Sequence, residues 1–525
     1  MTNSPSPSTF LKNETHQIND WIAPSPLRAF LTMTLIIVAI RIAFLMVSNV
    51  NLGTDETQYW FWSQNLDFGY FSKPPVIAWT IAFTSGLFGN AEWAIRLASP
   101  VIHGGTAILL FATARMLHSA KAGFWVGGTW LLLPAVSLSS NLISTDVVLL
   151  FFWSGGLFFL IRILNALERE PTKMAPLADR FSLGACLGLG LLTKYAMVYF
   201  LIAMSVTALC IPQYRKTAAR EALVIPLLLA VLIFLPNIIW NSHHESLTLT
   251  HTVANAKWEG GFFNPIQLLE FWISQIAIIG PVLFIAFLIY LFMGRNETNN
   301  NVPNSSVQIK RATKLLLIFA LTPLVIISIQ AFLSRAHANW AATAYPSTLI
   351  LTSIWLLRAK KEHWLVLNLG LNLIIFAALS MTISNFVILD NIGLSNSIKR
   401  VRGWDIQGQE IEKLANQYNH VMADHRDVFG AVAYYAKQSD RDLMAWNSNH
   451  RIDDHYEVFH DFRPDVSGKI LYITYHPEAL GVTPWFSEVK LLKTSELDLK
   501  AGRKRTLYFY EIDGFKGSPL YPKKG

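Results

Sequence analysis

The chain has 525 residues, 52% hydrophobic and only 15% charged, whereas soluble domains carry about 25% charged residues. That balance excludes an ordinary soluble protein. Two cysteines, Cys186 and Cys210, both in apolar runs, exclude a disulfide framework or a zinc spacing. The net charge of +8 does not call for nucleic acid, because much of it sits in short loops between apolar runs.

Residues 1–26 are rich in Ser, Pro and Asn and lack the basic start and short apolar core of a signal peptide. They read as a cytoplasmic tail. The first apolar run, 27–47, contains Arg41. An intramembrane arginine faces the bundle interior or a wet cavity, or snorkels to the surface. Holding an anionic head group and snorkelling are both open to it.

The next stretch, 55–79, is DETQYWFWSQNLDFGYFSKPPVIAW. It emerges at a membrane surface. It opens with Asp55 and Glu56, carries the aromatics Tyr59, Trp60, Phe61, Trp62, Phe68, Tyr70 and Phe71, and closes with Lys73-Pro74-Pro75. Aromatics anchor a segment at the lipid–water boundary, and each proline fixes φ and removes a donor. A carboxylate pair and a lysine at that level suit an acid/base step and a phosphate. An interfacial helix with solvated charges is the competing reading.

Residues 76–88 are apolar but short for a span and read as interfacial. Further spans are expected over 92–117, 123–138, 146–164, 181–192, 195–211, 222–240, 265–293, 315–333, 341–357 and 364–386, about eleven in all. Gly123 and Gly127 have a small-xxx-small spacing that suits helix packing. One set of alternate loops carries Arg115 and Lys121; Arg162, Arg169, Lys173 and Arg180; Arg215, Lys216 and Arg220; Arg295, Lys310, Arg311 and Lys314; and Arg358, Lys360 and Lys361. The opposite set holds little beyond Lys73, Lys194, Lys257 and Arg335. The basic set should be cytoplasmic. That places the amino terminus inside, and the Asp55 loop and carboxy terminus outside.

After Asp390 the chain becomes polar and mixed. Helices are expected over 406–418 and 428–437. Strands are expected over 420–423, 443–446, 469–475, 489–492 and 506–512. The alternation predicts a small α/β domain outside the membrane. Residues 449–461, NHRIDDHYEVFHD, fit no standard metal spacing and read as a solvated loop. The organisation is then a tail (1–26), a transmembrane domain (27–389) with a catalytic loop (51–90), and an external α/β domain (390–525).

The pattern Asp55-Glu56, an aromatic-rich helix, Gly69-Tyr70-Phe71, Ser72-Lys73 and Pro74-Pro75 resembles the first extracytoplasmic loop of lipid-phosphate-dependent glycosyltransferases of the GT-C superfamily. The closest match is the bacterial branch related to protein O-mannosyltransferases and to the 4-amino-4-deoxy-L-arabinose lipid A transferase. The aminoarabinose branch has a glutamate before the lysine. This chain has Ser72, which removes a metal ligand there. The resemblance covers nearly the whole chain. It implies an all-α polytopic membrane domain of GT-C type with a small C-terminal α/β extracytoplasmic domain, in the bacterial inner membrane.

The resemblance also implies site residues. Asp55 matches the first acidic motif and is the candidate base, with Glu56 assisting or holding the loop. Asp146 matches the second acidic position; an N-cap is its other reading, and both can hold at once. Lys73, with Tyr70 beside it in the motif, is the candidate for the lipid phosphate. Lys194, closing Leu192-Thr193-Lys194, is a second phosphate contact or a turn residue. The loop 241–264 carries His243, His244 and His251. Related enzymes have a histidine in this loop, in one branch as a metal ligand. A divalent ion is weakly supported here, and His244 and His251 read as substrate-positioning. Arg335, Asn339, Trp340 and Tyr345 match a further signature, with Arg335 for phosphate and Asn339 and Trp340 for the sugar. Arg402-Gly403-Trp404-Asp405 resembles the entry to the external domain and reads as architecture.

Nucleotide sugars are not supplied on the extracytoplasmic side. A glycosyl donor there must arrive on a lipid, most simply a polyprenyl phosphate. The expected partners are that donor, membrane lipids, and an extracytoplasmic acceptor that is a glycan, a lipid or a protein. A carboxylate should take the acceptor's proton, and cations should stabilise the departing phosphate. The alternative is a transporter or flippase of lipid-linked sugars. Transporters tend to show repeated halves, and none is visible.

Overall fold

The computed structural model describes residues 25–170, 174–217, 224–255, 263–294, 305–438, 441–447, 449 and 451–521. The tail reading for 1–24, the loop stretch 256–262 with Lys257, and the loop residues Lys173, Arg220 and Arg295 lie outside the described residues. The chain forms two compact units. One comprises Met1–Met46, Pro74–Ile77 and Arg96–Ser380; the other comprises Val47–Lys73, Ala78–Ile95 and Met381–Gly525.

The first unit is helical. Among the described residues, six helices are long and apolar enough to cross a membrane: Pro26–Val47, Glu92–Leu117, Thr145–Arg169, Val224–His243, Lys310–Leu333 and Glu362–Ile383. A seventh crossing is reached if Pro265–Ile279 and Pro281–Met293 count together, bent by 115°. The protein is thus a multi-pass membrane protein, with fewer uninterrupted spans than the apolar runs suggest. The reasons are local. The run 265–293 breaks at Gly280, whose φ of 85° suits glycine, followed by Pro281. The run 123–138 breaks at Leu133, held extended before Pro134. The runs 181–192, 195–211 and 341–357 form the helices Leu177–Leu191, Val198–Cys210 and Tyr345–Arg358, each shorter than a full crossing.

Thr145–Arg169 is the most enclosed of the long helices, with 72% of its apolar window buried, against 28% for Pro26–Val47. It is therefore the interior element of this unit and holds its first turn in fixed surroundings. A Cβ on Gly123 would meet the Phe111 carbonyl at 2.8 Å, and one on Gly127 the Phe30 ring at 2.4 Å. The predicted small-residue pair is the point where Ala120–Leu132 approaches its neighbours. Arg41 does not snorkel. It is buried, donates from Nη2 to the carbonyl of Leu131, and lies 5.3 Å from the Phe376 ring centroid. It satisfies one of the orphan carbonyls at the end of Ala120–Leu132.

The second unit contains a five-stranded sheet in the order β2-β1-β3-β5-β4. The strands are β1 (His420–Ala423), β2 (Asp442–Ala445), β3 (Ile470–Thr474), β4 (Phe486–Lys500) and β5 (Arg503–Phe515). β1 pairs in parallel with β2 and β3, β3 antiparallel with β5, and β5 antiparallel with β4. Helices Trp404–Ala415 and Arg426–Tyr435 complete the α/β pattern. β4 and β5 run longer than the expected 489–492 and 506–512. The added stretch of β4, 493–500, is mostly polar and exposed, so it carries little burial signal in the sequence.

The aromatic stretch belongs to this unit and is buried in protein. Its helix, Thr54–Gln64, packs on Arg426–Tyr435. Trp62 stacks on Tyr70 with centroids 4.6 Å apart. Phe61 meets Phe429 and Tyr456 edge-on at 5.8 and 5.4 Å, and Trp60 meets Tyr434 at 4.8 Å. Tyr59, Trp60, Phe61, Trp62, Tyr70 and Phe71 are all buried, and only Phe68 is exposed. The expected lipid–water belt is therefore a protein core, because large rings bury most area against one another. The solvated-loop reading of 449–461 holds for exposed Asn449, Arg451, Ile452 and Asp453 and is corrected in its middle. His455 and Tyr456 are buried, and His455 packs on Trp62 at 5.4 Å.

This packing leaves no room at Gly430. A Cβ there would stand 2.5 Å from Thr57 Oγ1, and overpacking of this kind costs about 1–3 kcal/mol. Gly430→Ala should lower unfolding stability by that amount, and adding Thr57→Ala should restore part of it. Thermal unfolding of the purified full chain, followed by tryptophan fluorescence, checks both.

Candidate active site

In the membrane unit, three expected site residues, Asp146, Lys194 and Asn339, meet at one carboxylate. Ser144 is the N-cap of Thr145–Arg169 and makes no side-chain capping bond. Asp146 lies one residue inside the helix, so the N-cap reading is corrected. Its charge still complements the helix dipole in the first turn. Its carboxylate is claimed by two other segments. Lys194 Nζ sits 2.6 Å from Oδ1, and Asn339 Nδ2 donates to Oδ2 at 2.7 Å. The two charged side chains are 18% and 20% exposed, so their attraction is only partly screened.

Three turns deliver these groups. Lys194 follows the end of Leu177–Leu191, where its amide and that of Thr193 return to the Gly190 carbonyl. Val76, just after Pro74-Pro75, donates from its amide to the Leu192 carbonyl at 3.1 Å. The proline exit of the motif is thereby tied to the Lys194 turn. Asn339 and Trp340 lie on the 3-10 segment Ala338–Ala344. Gln275 Nε2 reaches the Ala338 carbonyl at 3.4 Å from below.

Arg335 precedes this segment, and its Nε is buried without a hydrogen-bond partner among the described residues. His337, which sequence reasoning passed over, faces Trp340 edge-on at 5.2 Å. Burial, then the charges of Arg335 and Lys194, lower its pKa from the ordinary imidazole value. Both of those charges disfavour its protonated form.

Tyr345 is not at a surface. It is buried and donates to Gln275 Oε1, so it supports the Asn339 segment from within. His244 stacks on Trp240 at 4.1 Å and donates from Nδ1 to its carbonyl. His251 accepts at Nδ1 from Asn255 Nδ2. The same loop is fastened to Tyr195, whose hydroxyl donates to Asn237 and accepts from Asn241 Nδ2. Among the described residues, no group of three His, Cys, Asp or Glu is arranged to hold a metal ion. A divalent ion therefore does not fit the donor set, and no step is routed through one.

In the second unit, Asp55 lies in the first turn of Thr54–Gln64. Its carboxylate is largely exposed and is held at Oδ1 by Arg426 Nη2. Arg426 also bonds Gln58 through Nε, so one guanidinium spans two turns of the Asp55 helix. Burial lowers the Arg426 pKa, but the charge and hydrogen bond of Asp55 outweigh it, and the net direction is upward. Glu56 is buried and accepts from the Gly53 amide at 2.9 Å. It closes the helix start, which is the loop-holding role. Tyr70 is buried, with its hydroxyl at 3.1 Å from the Trp62 carbonyl and 3.0 Å from that of Asn65. It pins the loop from inside. Half-buried Lys73 accepts from the Tyr70 amide at its carbonyl.

Arg426 was not foreseen from sequence. A signal was present: Asp424-His425-Arg426-Asp427 directly follows β1 and precedes a helix, and ligands favour the carboxyl ends of parallel strands.

Residues 72–240, a span that includes Lys73, Asp146 and Lys194, match the family model of dolichyl-phosphate-mannose-protein mannosyltransferases. The chain is 33% identical over 442 residues to the lipid A galacturonosyltransferase RgtD of Rhizobium johnstonii, covering 83% of this chain and 88% of that one. The chain belongs to the GT-C family of membrane glycosyltransferases. Its fold is similar to that of ArnT from Cupriavidus metallidurans bound to undecaprenyl phosphate. The TM-score is 0.64 at 14% identity, covering 94% of this chain and 98% of that chain. The apo form of the same protein gives 0.60 at 14%, covering 93% and 98%.

For a GT-C enzyme the Asp146–Lys194 pair should be energetically coupled. Asp146→Ala and Lys194→Ala, singly and together, should show a coupling of about 1 kcal/mol or more in thermal unfolding. Purely additive effects would contradict the pairing.

Proposed function

We propose that this glycosyltransferase takes its sugar from a polyprenyl-phosphate donor. It passes the sugar, with inversion, to a glycolipid or glycan acceptor on the extracytoplasmic face of the bacterial inner membrane. The observation that carries the reading is the carboxylate of Asp146 fixed by Lys194 and Asn339, with Arg335 just before the Asn339 segment in the chain. Such a cluster suits a phosphate-bearing substrate, because fixed cations need no reorganisation as charge develops. RgtD acts on lipid A by its name, which supports a glycolipid acceptor.

In the proposed reaction an acceptor hydroxyl attacks the anomeric carbon. The bond from that carbon to the phosphate oxygen breaks, and the polyprenyl phosphate leaves with the electron pair. Asp55 takes the hydroxyl proton. Arg426 keeps the Asp55 carboxylate oriented, with its second oxygen directed to the acceptor. Lys73, Lys194 and Arg335 offset the charge growing on the phosphate. Asn339 and Trp340 position the sugar. The proposed orientation supports a lipid donor, since the extracytoplasmic side holds no nucleotide sugars. The distribution of basic residues among the loops supports an amino terminus in the cytoplasm.

Asp55→Asn keeps the shape and removes the base. It should lower kcat by about 10²–10⁴-fold and leave binding of the polyprenyl-phosphate donor within a few-fold of wild type. Radiolabelled sugar transfer in membranes, with donor binding measured in parallel, checks this. Activity retained in Asp55→Asn removes Asp55 from the role of base.

A further inference from the structure

A second charged site lies in the external domain. A cavity of about 480 Å³ opens beside the sheet. Its lining brings together Lys399, Arg400, Lys504 and Arg505, against a single carboxylate, Asp427. That carboxylate is already engaged, because His425 Nδ1 bonds Oδ1 and the Tyr475 hydroxyl donates to Oδ2 at 2.9 Å. Lys504 is partly neutralised by Glu496 at 2.7 Å. Lys399 and Arg400 have no acidic partner among the described residues. The cavity therefore carries a net positive charge.

The floor is rigid. Arg505 is buried, lies 3.6 Å from the Trp404 ring centroid, and is fixed by Gln407 Oε1 at 2.6 Å and the Arg402 carbonyl at 2.7 Å. A guanidinium held this way meets an anion without losing further side-chain freedom. Trp404 and Tyr475 add ring surface to the walls, a mixture that suits a phosphorylated sugar better than a bare ion.

The surroundings favour a lipid-borne ligand. The helix Phe386–Asn391 follows the last membrane helix in the chain. Val387, Ile388, Ile392 and Leu394 around it are exposed apolar residues. Asp390 grips Arg402 with two bonds of 2.9 and 2.7 Å, and Arg402 lies over the Phe386 ring at 5.0 Å. Arg402 also donates to the carbonyl of Leu499 in the cavity wall. An apolar strip is thus fastened to a basic cavity, the pairing expected for acyl chains continuous with an anionic head group.

We propose that this cavity binds the phosphate-bearing sugar head group of the acceptor glycolipid, as a site separate from the Asp146 cluster. The proposal rests on the glycolipid reading of the acceptor. Asp427 is the sequence neighbour of Arg426, the partner of Asp55. A head group held there would be anchored one residue from the arginine that orients the proposed base.

The test uses the full chain in lipid nanodiscs with lipid A, dephosphorylated lipid A and inorganic phosphate as probes. Wild type should bind lipid A about tenfold or more tighter than the dephosphorylated form, with binding weakened by salt. Lys399→Gln with Arg400→Gln should erase that preference, and Lys399→Arg with Arg400→Lys should retain it. Millimolar inorganic phosphate should not displace the lipid. Unchanged lipid A affinity in the glutamine variant overturns the proposal. So does displacement by free phosphate, which would make the site a simple anion trap. Transfer by wild type is read separately. Transfer that persists while lipid A affinity is unmoved sinks only the cavity, whereas a wild type that transfers nothing sinks the glycosyltransfer reading itself.

Discussion

A carboxylate in a largely apolar protein needs donors to hold it, and that constraint organises both units. Asp146 is clasped by Lys194 and Asn339, and Asp55 by Arg426. Each clasp joins segments far apart in sequence. The turn after Leu177–Leu191, the 3-10 segment Ala338–Ala344 and the first turn of Thr145–Arg169 meet at one carboxylate. An unpaired charge at a position four-fifths enclosed would cost several kcal/mol, so the clasp is a condition of the local fold as well as of the chemistry. The same contacts hold the carboxylates oriented, as the proposed reaction requires of a fixed electrostatic environment.

The aromatic stretch shows how one set of residues serves fold and site together. Trp60, Phe61 and Trp62 bury their rings against Tyr434, Phe429, Tyr456 and His455. That burial fixes the helix whose first turn carries Asp55. Glu56 spends its charge on the Gly53 amide, and Tyr70 spends its hydroxyl on loop carbonyls. Asp55 itself stays turned to solvent.

Much of this was legible in the sequence, and the gaps have physical causes. Asp146, Lys194 and Asn339 stood out by residue type and by family resemblance. Their meeting could not be read, because spacing along a chain says nothing about which turns converge. The strand at 420–423 was legible from its apolar run, whereas the far part of β4, 493–500, was not, being mostly polar and exposed. Eleven spans were expected, and six to seven uninterrupted ones are found among the described residues, because hydropathy averages over breaks such as Gly280-Pro281 and Leu133-Pro134. The rings around Trp62 were assigned to the lipid boundary because a buried aromatic and an interfacial one look alike until a partner is known. Arg426 and His337 were missed for the opposite reason: each is a lone polar residue whose significance comes from a distant neighbour.

The central claim is that this chain breaks the bond between a sugar and a lipid phosphate, and does not merely carry the two across a membrane. The most direct measurement gives the purified protein in proteoliposomes a polyprenyl phosphate labelled in its sugar, together with a glycolipid acceptor. The account predicts that the label moves to the acceptor with inverted anomeric configuration while unlabelled polyprenyl phosphate accumulates. Label that changes leaflet while still attached to its original lipid would contradict it.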